Sequence, residues 1–358
     1  MTLGPNPERW TAPPHATPDL PGIGGVLRVE PEDFEVEEIP AYEPCGEGEH
    51  LFLHVRKRDL ATPEAASRLA SALELDARSA GWAGLKDRRA VATQWLSFLG
   101  GDVSRALEVQ VEGLQVLAGS RHGNKLRAGH LRGNRFRLRL RRSTGDVEAA
   151  SAVLNQLYAA GAPNYFGAQR FGHAGQNVER ALAWLRAGGR APRSRFDRKM
   201  LVSALQSAMF NEATADRVDM GTLCHAVDGD LLRKEDTGGL FVAEDRQEAE
   251  TRMTAWEVSP TGPMFGPRMR WPEGDALSLE KALLARWGLE EASLSASRKV
   301  GAGTRRPYRI RPLEPRVEQL EGDPVLCFTL PAGGYATNIA REVSKGYIPG
   351  RASEPVSQ

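Results

Sequence analysis

The chain has 358 residues, of which 41% are hydrophobic and 26% charged, with a net charge of +1; these values exclude a disordered or fibrous protein. Because single hydrophobic cores stop growing at about 250 to 300 residues, the length predicts two domains or one domain with a large insertion. The three cysteines are odd in number and far apart, which argues against a disulfide framework, and no apolar run reaches the ~18 residues that would cross a bilayer, so we expect a cytoplasmic protein.

The N-terminal 25 residues carry six prolines and four glycines, a composition that predicts an extended, partly mobile arm. Beyond the arm, Thr62 followed by proline and glutamate predicts an N-cap and a helix through about Leu75. A turn-rich loop from Gly81 to Arg89 then places charged residues beside a strand. Alternating and helical patterns predict the remaining elements: strands over Val29–Ile39, His50–Val55, Val91–Phe98 and Val325–Leu330, and helices over Val147–Ala160, Val178–Ala187, Asp197–Val218 and Tyr335–Lys345.

The segment from Asn134 to Leu140 alternates strictly between apolar or amide side chains and arginines. It predicts a half-buried strand with a cationic outer face. Charge is unevenly distributed around it: nine basic and no acidic residues lie between Gly119 and Arg142, and a second acid-free basic block runs from Arg298 to Arg311, whereas Glu30 to Glu38 holds six acids. Two arginine-dominated blocks favour a polyanionic partner, RNA or DNA, over a merely solvated surface.

The helical pattern that ends at Gly161-Ala162-Pro163 predicts a domain boundary. Strands at both ends of the chain and helices in its middle predict an α+β domain that is interrupted by an insertion. The predicted division is an N-terminal arm (1–25), a discontinuous domain (26–160 and 313–348), an inserted domain (161–312) and a polar, disordered tail (349–358).

The residues that bear chemistry are few, because the chain contains no P-loop, nucleophile elbow or HExxH zinc motif. What remains is Asp87, a carboxylate among Lys86, Arg88 and Arg89, and an ionised aspartate can act as a nucleophile or a base. A surface ion pair is the alternative interpretation. Aromatic and amide side chains suited to holding a flipped base, or simply to core packing, are Phe34, Asn134, Phe136, Tyr165, Phe166 and Tyr335.

The segment Gly84–Val91 (GLKDRRAV), followed by Thr93-Gln94-Trp95, resembles the nucleophile motif of the TruD family of tRNA pseudouridine synthases. The resemblance covers roughly Val26 to Lys345. Further segments that resemble the family in the same order are Pro31–Phe34, Gly46–His50, Gly133–Phe136, Pro163–Gly172, Leu201–Ala204 with Phe210-Asn211, Asp228–Asp230 and Leu330–Thr337.

The resemblance implies a pseudouridine-synthase-like catalytic α+β domain with a central mixed or antiparallel sheet, interrupted by an inserted TRUD-specific α+β domain. It implies isomerisation of uridine 13 of tRNA, with Asp87 as the essential nucleophile or base. Phe34, Asn134 and Tyr335 match positions that line the uridine pocket, and Phe136 matches a ring that packs beneath the base. No metal and no other cofactor is expected.

Arg28 and Lys86 are two candidates for a substrate-binding cation that pairs with Asp87, although Arg28 fits a surface arginine at a strand edge equally well. The partner expected is tRNA, with no membrane, no obligate protein partner and a monomeric state. The arginines expected to bind RNA are Arg135, Arg137, Arg139, Arg141, Arg170, Arg305 and Arg306.

Residue types leave two alternatives open: a non-catalytic tRNA-binding or tRNA-folding protein of the same fold, and a synthase that acts on another RNA. They also leave open whether Asp87 attacks C1′, adds to C6 of the base, or abstracts a sugar proton.

Overall fold

The computed structural model describes residues 4–186 and 189–346; the tail predicted to be disordered, 349–358, lies outside them. The strands are β1 (Gly24–Val26), β2 (Phe34–Pro40), β3 (His50–Arg58), β4 (Gly81–Trp82), β5 (Val91–Leu99), β6 (Leu114–His122), β7 (Leu131–Arg139), β8 (Arg141–Ser143), β9 (Ala162–Pro163), β10 (Leu231–Lys234), β11 (Leu240–Val242), β12 (Val258–Met264), β13 (Thr304–Pro307), β14 (Arg309–Ile310), β15 (Leu313–Leu320) and β16 (Asp323–Pro331).

The α-helices are α1 (Glu8–Thr11), α2 (Thr62–Ala72), α3 (Val103–Glu108), α4 (Val147–Ala160), α5 (Gln176–Leu185), α6 (Arg195–Asp219), α7 (Arg246–Thr254), α8 (Gly274–Arg286), α9 (Glu291–Leu294) and α10 (Ala336–Ser344). Short 3-10 helices occur at Pro31–Asp33, Ala77–Ser79, Ala168–Phe171, His173–Gly175 and Ser295–Ser297. Among the described residues, no helix has the length and apolar character required to span a membrane.

The described chain divides into two compact units. The sheet unit consists of residues 20–158 and 312–346, and the insertion unit consists of residues 4–19, 159–186 and 189–311. Each unit contains both helices and strands. The α+β class expected from the sequence is confirmed.

The sheet unit is built on one mixed sheet with the strand order β15-β16-β7-β2-β5-β3-β6, and β4 pairs with β5. All pairs are antiparallel except β2 with β5. Helix α2 covers one face because its small and apolar residues recur at helical spacing, which gives it a buried stripe. That stripe packs on Leu51, Leu53 and Val55 of β3 and on Leu96 and Phe98 of β5.

The insertion unit is organised around α6, a 25-residue helix that is buried over most of its length. Beside it lies a four-stranded sheet of order β11-β10-β12-β13. Two ion pairs are buried there, Arg217 with Asp230 and Arg305 with Glu280. Buried charges of this kind require such pairing, since each isolated charge would be costly to desolvate.

The proline-rich N-terminus is not an extended arm, contrary to the expectation from composition. Residues Glu8–Thr11 form α1, and the Trp10 ring is 4% exposed with its centroid 4.9 Å from that of Phe171. Arg9 pairs with Asp216 of α6 at 2.5 Å. The prolines bound a short helix, and burial of one large ring is enough to fix this segment within the insertion unit.

Candidate active site

Asp87 lies in the loop between β4 and β5, and its side chain is 52% exposed. One carboxylate oxygen accepts a hydrogen bond from the Arg28 guanidinium, which forms an ion pair with it. The Arg28 side chain is only 10% exposed, and its φ of 64° lies in the left-handed region that residues with side chains rarely occupy. Such a backbone at an ion pair is a common feature of functional sites.

Aromatic rings adjoin this ion pair on the Arg28 side. The Arg28 guanidinium carbon is 4.0 Å from the centroid of the Phe34 ring, a cation–π contact. Phe34 meets Phe136 edge to face, with centroids 6.0 Å apart, because β2 and β7 are neighbouring strands. The structure therefore brings Asp87, Arg28, Phe34 and Phe136 into one continuous group.

Asn134 lies two residues before Phe136 on β7, opposite Glu38 of β2 and Leu330 of β16. Its Oδ1 atom is buried and has no hydrogen-bond partner among the described residues. A buried, unsatisfied amide oxygen is costly unless a ligand donates to it. Tyr335 follows the turn after β16 as the N-cap residue of α10, and it is half-buried.

Lys86 does not have the role expected for it. Its side chain is 5% exposed, and Nζ donates to Glu38 at 2.5 Å. The lysine charge is thus neutralised inside the sheet unit rather than presented to Asp87 or to a substrate. Of the two candidate cations, only Arg28 contacts Asp87.

Thr62 holds the loop that carries Asp87 rather than capping a helix, so its assignment as an N-cap is wrong; that position belongs to Ala61. The Thr62 hydroxyl accepts a hydrogen bond from the backbone N–H of Lys86 at 2.9 Å and donates to Gln94 Oε1 at 2.8 Å. The Gln94 amide in turn donates to the carbonyl of Gly84 at 3.3 Å. These bonds fix the loop segment immediately before Asp87.

Lys57 also supports the loop, and sequence reasoning missed it. Its Nζ donates to the backbone carbonyls of Asp87 at 2.8 Å and Leu60 at 2.5 Å. Burial lowers the pKa of Lys57 to about 8, although the nearby Asp87 charge acts in the opposite direction. The sequence did contain an indication that Lys57 is buried, because alternation along β3 places it on the same face as the buried Leu53 and Val55.

The four arginines of β7 and β8 that were expected to bind RNA do not form a free cationic face. Arg135, Arg137, Arg139 and Arg141 each form ion pairs with carboxylates, so the prediction of unbalanced charge at these four positions is wrong. The acidic stretch at residues 30–38 supplies half of the partners, since β2 lies beside β7. The pairs are Arg135 with Glu37, Arg137 with Glu35 and Glu318, Arg139 with Asp323 and Glu321, and Arg141 with Asp33.

The arginines predicted to bind RNA in the insertion unit have different environments. The prediction that Arg305 binds RNA is wrong, because its side chain is 2% exposed and pairs with Glu280 at 2.7 Å. Arg306 stacks on Phe166, with its guanidinium carbon 4.2 Å from the ring centroid. Arg170 is exposed and donates to the Ser203 hydroxyl at 2.6 Å. Of these three, only Arg170 is open to solvent in the way that RNA binding requires.

Tyr165 and Phe166, which the sequence suggested as base-gripping residues, are core residues instead. Tyr165 is 2% exposed and Phe166 is 8% exposed. Phe166 meets Phe210 of α6 with centroids 5.6 Å apart. Their rings are occupied by packing within the insertion unit.

Comparison with known proteins gives a consistent result. The family model described as "tRNA pseudouridine synthase D (TruD)" matches residues 15–182 and 194–343. A tRNA pseudouridine synthase D of Anaeromyxobacter sp. (strain Fw109-5) is 46% identical over 340 residues, which cover 94% of this chain and 97% of the relative. A tRNA pseudouridine synthase D of Thermus thermophilus is 43% identical over 347 residues, covering 96% of this chain and 95% of the relative.

The fold is also similar to that of a solved structure. A crystal structure described as TruD from Methanosarcina mazei has a TM-score of 0.76 and 24% sequence identity, and the match covers 96% of this chain and 97% of that one. The similarity supports the fold alone, whereas the family match and the close relatives extend over nearly the whole chain. The chain belongs to the TruD family of tRNA pseudouridine synthases, and it is an isomerase.

Proposed function

We propose that this enzyme converts uridine 13 of tRNA to pseudouridine, with Asp87 as the catalytic carboxylate. The observation that carries the proposal is the group formed by Asp87, Arg28 and Phe34: a half-exposed carboxylate, paired with a largely buried guanidinium that stacks on a ring. Asp87 lies in the GLKDRRAV segment and Phe34 in the Pro31–Phe34 segment, both of which resemble the family.

The reaction is an isomerisation without net gain or loss of atoms. The C1′–N1 bond of the uridine breaks, the uracil turns, and a C1′–C5 bond forms. The C5 hydrogen leaves as a proton and N1 gains one, so neither an oxidant nor a reductant is consumed. A carboxylate beside the sugar and the base can serve each of the three routes: attack on C1′, addition to C6, or removal of a sugar proton.

The surroundings of Asp87 suit a base that has left its stack. Extrusion costs a few kcal/mol, which stacking on aromatic rings and hydrogen bonds to the base edge offset. Tyr335, which is half-buried, provides a ring. Phe34 (4% exposed) and Phe136 (7% exposed) form an apolar floor beneath the Arg28 guanidinium, and the unsatisfied Oδ1 of Asn134 can accept a hydrogen bond from a uracil N–H. We assign these four residues to uridine binding.

Arg28 orients the carboxylate of Asp87. Its contact with Phe34 restricts the guanidinium, so the ion pair with Asp87 is held in one geometry before substrate binds. Preorganisation of this kind reduces the reorganisation needed at the reacting centre.

We further propose that the sheet unit carries catalysis and that the insertion unit contributes tRNA binding. We also propose that the enzyme acts as a cytoplasmic monomer.

Unmodified tRNA labelled with tritium at uracil C5 tests the proposed target. The purified protein is expected to release tritium and to produce a carbodiimide-dependent primer-extension stop at position 13. The same tRNA with cytidine at position 13 is the matched control and is expected to yield no such stop. Tight binding without tritium release would support a tRNA-binding protein instead, and release from the control tRNA would mean that another uridine is the target.

A further inference from the structure

An exposed aromatic side chain lies among unpaired cations at the start of α6. We propose that the basic segment, residues 190–199, is a second RNA contact, where an unpaired nucleotide of tRNA stacks on Phe196 while its flanking phosphates bind Arg193, Arg195 and Lys199. The choice of tRNA as the ligand rests on the proposed function. The site itself rests on the exposure, charge and geometry of these residues in the insertion unit.

The charges of the basic segment are unbalanced. It holds five cations and one acid, Asp197, within ten residues. Arg193, Arg195 and Lys199 are exposed, and none of them forms an ion pair with a carboxylate of the described residues. This distinguishes the segment from Arg135, Arg137 and Arg139 of β7, which are paired with glutamates and aspartates. Unpaired surface cations are the ones that can exchange counterions for phosphates.

Phe196 is 75% exposed, the largest exposed fraction among the exposed apolar side chains of the described residues. A single exposed phenylalanine is unremarkable on most surfaces. Among unpaired cations, however, it reproduces the composition of sites for single-stranded nucleic acid, in which a ring stacks on a base and neighbouring charges follow the backbone. At such exposure, packing does not explain a phenylalanine at this position.

The segment is held rigidly enough to present these groups together. The Ser194 hydroxyl caps α6 by accepting from the backbone N–H groups of Phe196 and Asp197, and the Arg198 Nε donates to the carbonyl of Pro192 at 2.6 Å. Helical spacing places Lys199 next to both Arg195, four residues before it, and Phe196, three residues before it. The buried remainder of α6 anchors this first turn, which lowers the entropy lost on binding.

An RNA ligand fits this surface better than a protein does. A stable protein interface needs an apolar centre of several side chains, whereas the basic segment offers one ring surrounded by positive charge. A phosphate backbone with an unstacked base matches that pattern in both charge and shape.

Two substitutions at one position separate stacking from general apolar contact. Phe196→Leu keeps the apolar surface but removes the ring, and we expect it to weaken binding of unmodified tRNA about tenfold. Phe196→Tyr keeps the ring and should bind within about twofold of the wild type. The proposal would be overturned if both variants bound tRNA with the affinity of the wild type. It would also be overturned if Phe196→Leu bound tRNA normally while Phe196→Tyr bound it more weakly.

The charge contribution is measured from the salt dependence of tRNA binding. Replacement of Arg193, Arg195 and Lys199 by glutamine is expected to reduce the slope of log affinity against log salt by about two to three units, close to one for each phosphate that is no longer neutralised. The control replaces Arg78 and Arg105, exposed arginines that are already ion-paired, and should leave the slope unchanged. An unchanged slope in the triple variant would contradict the proposal.

Turnover separates this proposal from the proposed function. In the variants of the basic segment, kcat at saturating tRNA is expected to stay at the wild-type value while KM rises, because Asp87 and its neighbours are untouched. If the wild-type protein forms no pseudouridine, but Phe196→Leu still weakens tRNA binding, the proposed reaction is refuted and the RNA contact is retained. If every variant forms pseudouridine normally with an unaltered KM, the RNA contact is refuted and the proposed reaction is retained.

Discussion

Asp87 is restrained at two of its groups: Arg28 holds the carboxylate, and Lys57 holds the backbone carbonyl. The second restraint is the less conspicuous one, because the buried Lys57 ammonium bonds to the main chain and not to the carboxylate. We therefore expect Lys57 to be a positioning residue, whose effect on the reaction is exerted through the loop that carries Asp87.

Replacement of Lys57 by methionine tests this restraint. The variant keeps most of the side-chain volume but removes both hydrogen bonds to the loop, so we expect kcat to fall about 10- to 100-fold with little change in tRNA affinity. The matched control is Arg56→Met, at an exposed position on the same strand. Unaltered kcat in the Lys57 variant, measured by single-turnover tritium release, would contradict a positioning role.

The titration of Lys57 predicts how stability depends on pH. Its pKa is about 8 in the folded protein, below its ordinary value of 10.5, so between these pH values the unfolded chain binds a proton that the folded chain does not. Stability therefore rises with pH in that window, by at most about 1.4 kcal/mol per pH unit. The free energy of urea unfolding of the wild type, relative to Lys57→Met, should rise from pH 8 to pH 10.5; a difference that stays constant would refute the assignment.

At the scale of elements, the sequence predicted which face of a strand is buried better than it predicted which strands lie side by side. Alternation in β7 correctly indicated Phe136 and Leu138 as buried and the arginines as the opposite face. It did not reveal that β2, about 100 residues earlier, lies alongside with Glu35 and Glu37 facing those arginines. Strand pairing is a long-range property, so the charge of a surface cannot be read from one strand alone.

Paired arginines of β7 are expected to contribute little to tRNA binding. Arg135→Gln combined with Arg137→Gln should change the dissociation constant for tRNA by less than about twofold, because Glu37 and Glu35 already offset the charge of these arginines. The salt dependence of binding should also stay the same. A slope that falls by about two units in this double variant would mean that both arginines bind phosphates after all.

The sequence predicted those candidate site residues that a reactive side chain or a local motif identifies. Asp87 was identified among its neighbouring cations, and the resemblance to a family supplied Phe34, Asn134 and Tyr335. Lys57 was missed because a lysine side chain is normally exposed, even on a strand whose other residues are apolar. The pairing of Lys86 with Glu38 depends on tertiary structure, which no spacing rule gives.

At the scale of the whole molecule, residues 4–19 belong to the insertion unit together with 159–186 and 189–311. Proline and glycine counts predicted an extended, partly mobile arm. Trp10 was the opposing signal, because a large ring in a short segment gains much from burial. It packs against Phe171 and Trp287.

Trp10→Ala tests whether the N-terminal segment stabilises the insertion unit. Loss of a buried tryptophan costs about 3 to 5 kcal/mol, so we expect a large fall in the free energy of unfolding. Thr11→Ala, on the exposed side of α1, is the control and should be nearly neutral. Urea unfolding that is indistinguishable between Trp10→Ala and the wild type would mean that the segment adds nothing to stability.

Asp87→Asn tests whether Asp87 performs the chemistry, because asparagine matches aspartate in shape but carries no charge. Single-turnover tritium release from C5-labelled tRNA is measured beside tRNA binding for both proteins. We expect the variant to bind tRNA within about threefold of the wild type and to form no pseudouridine above background. Pseudouridine formation by the variant at the wild-type rate would contradict a catalytic role for Asp87.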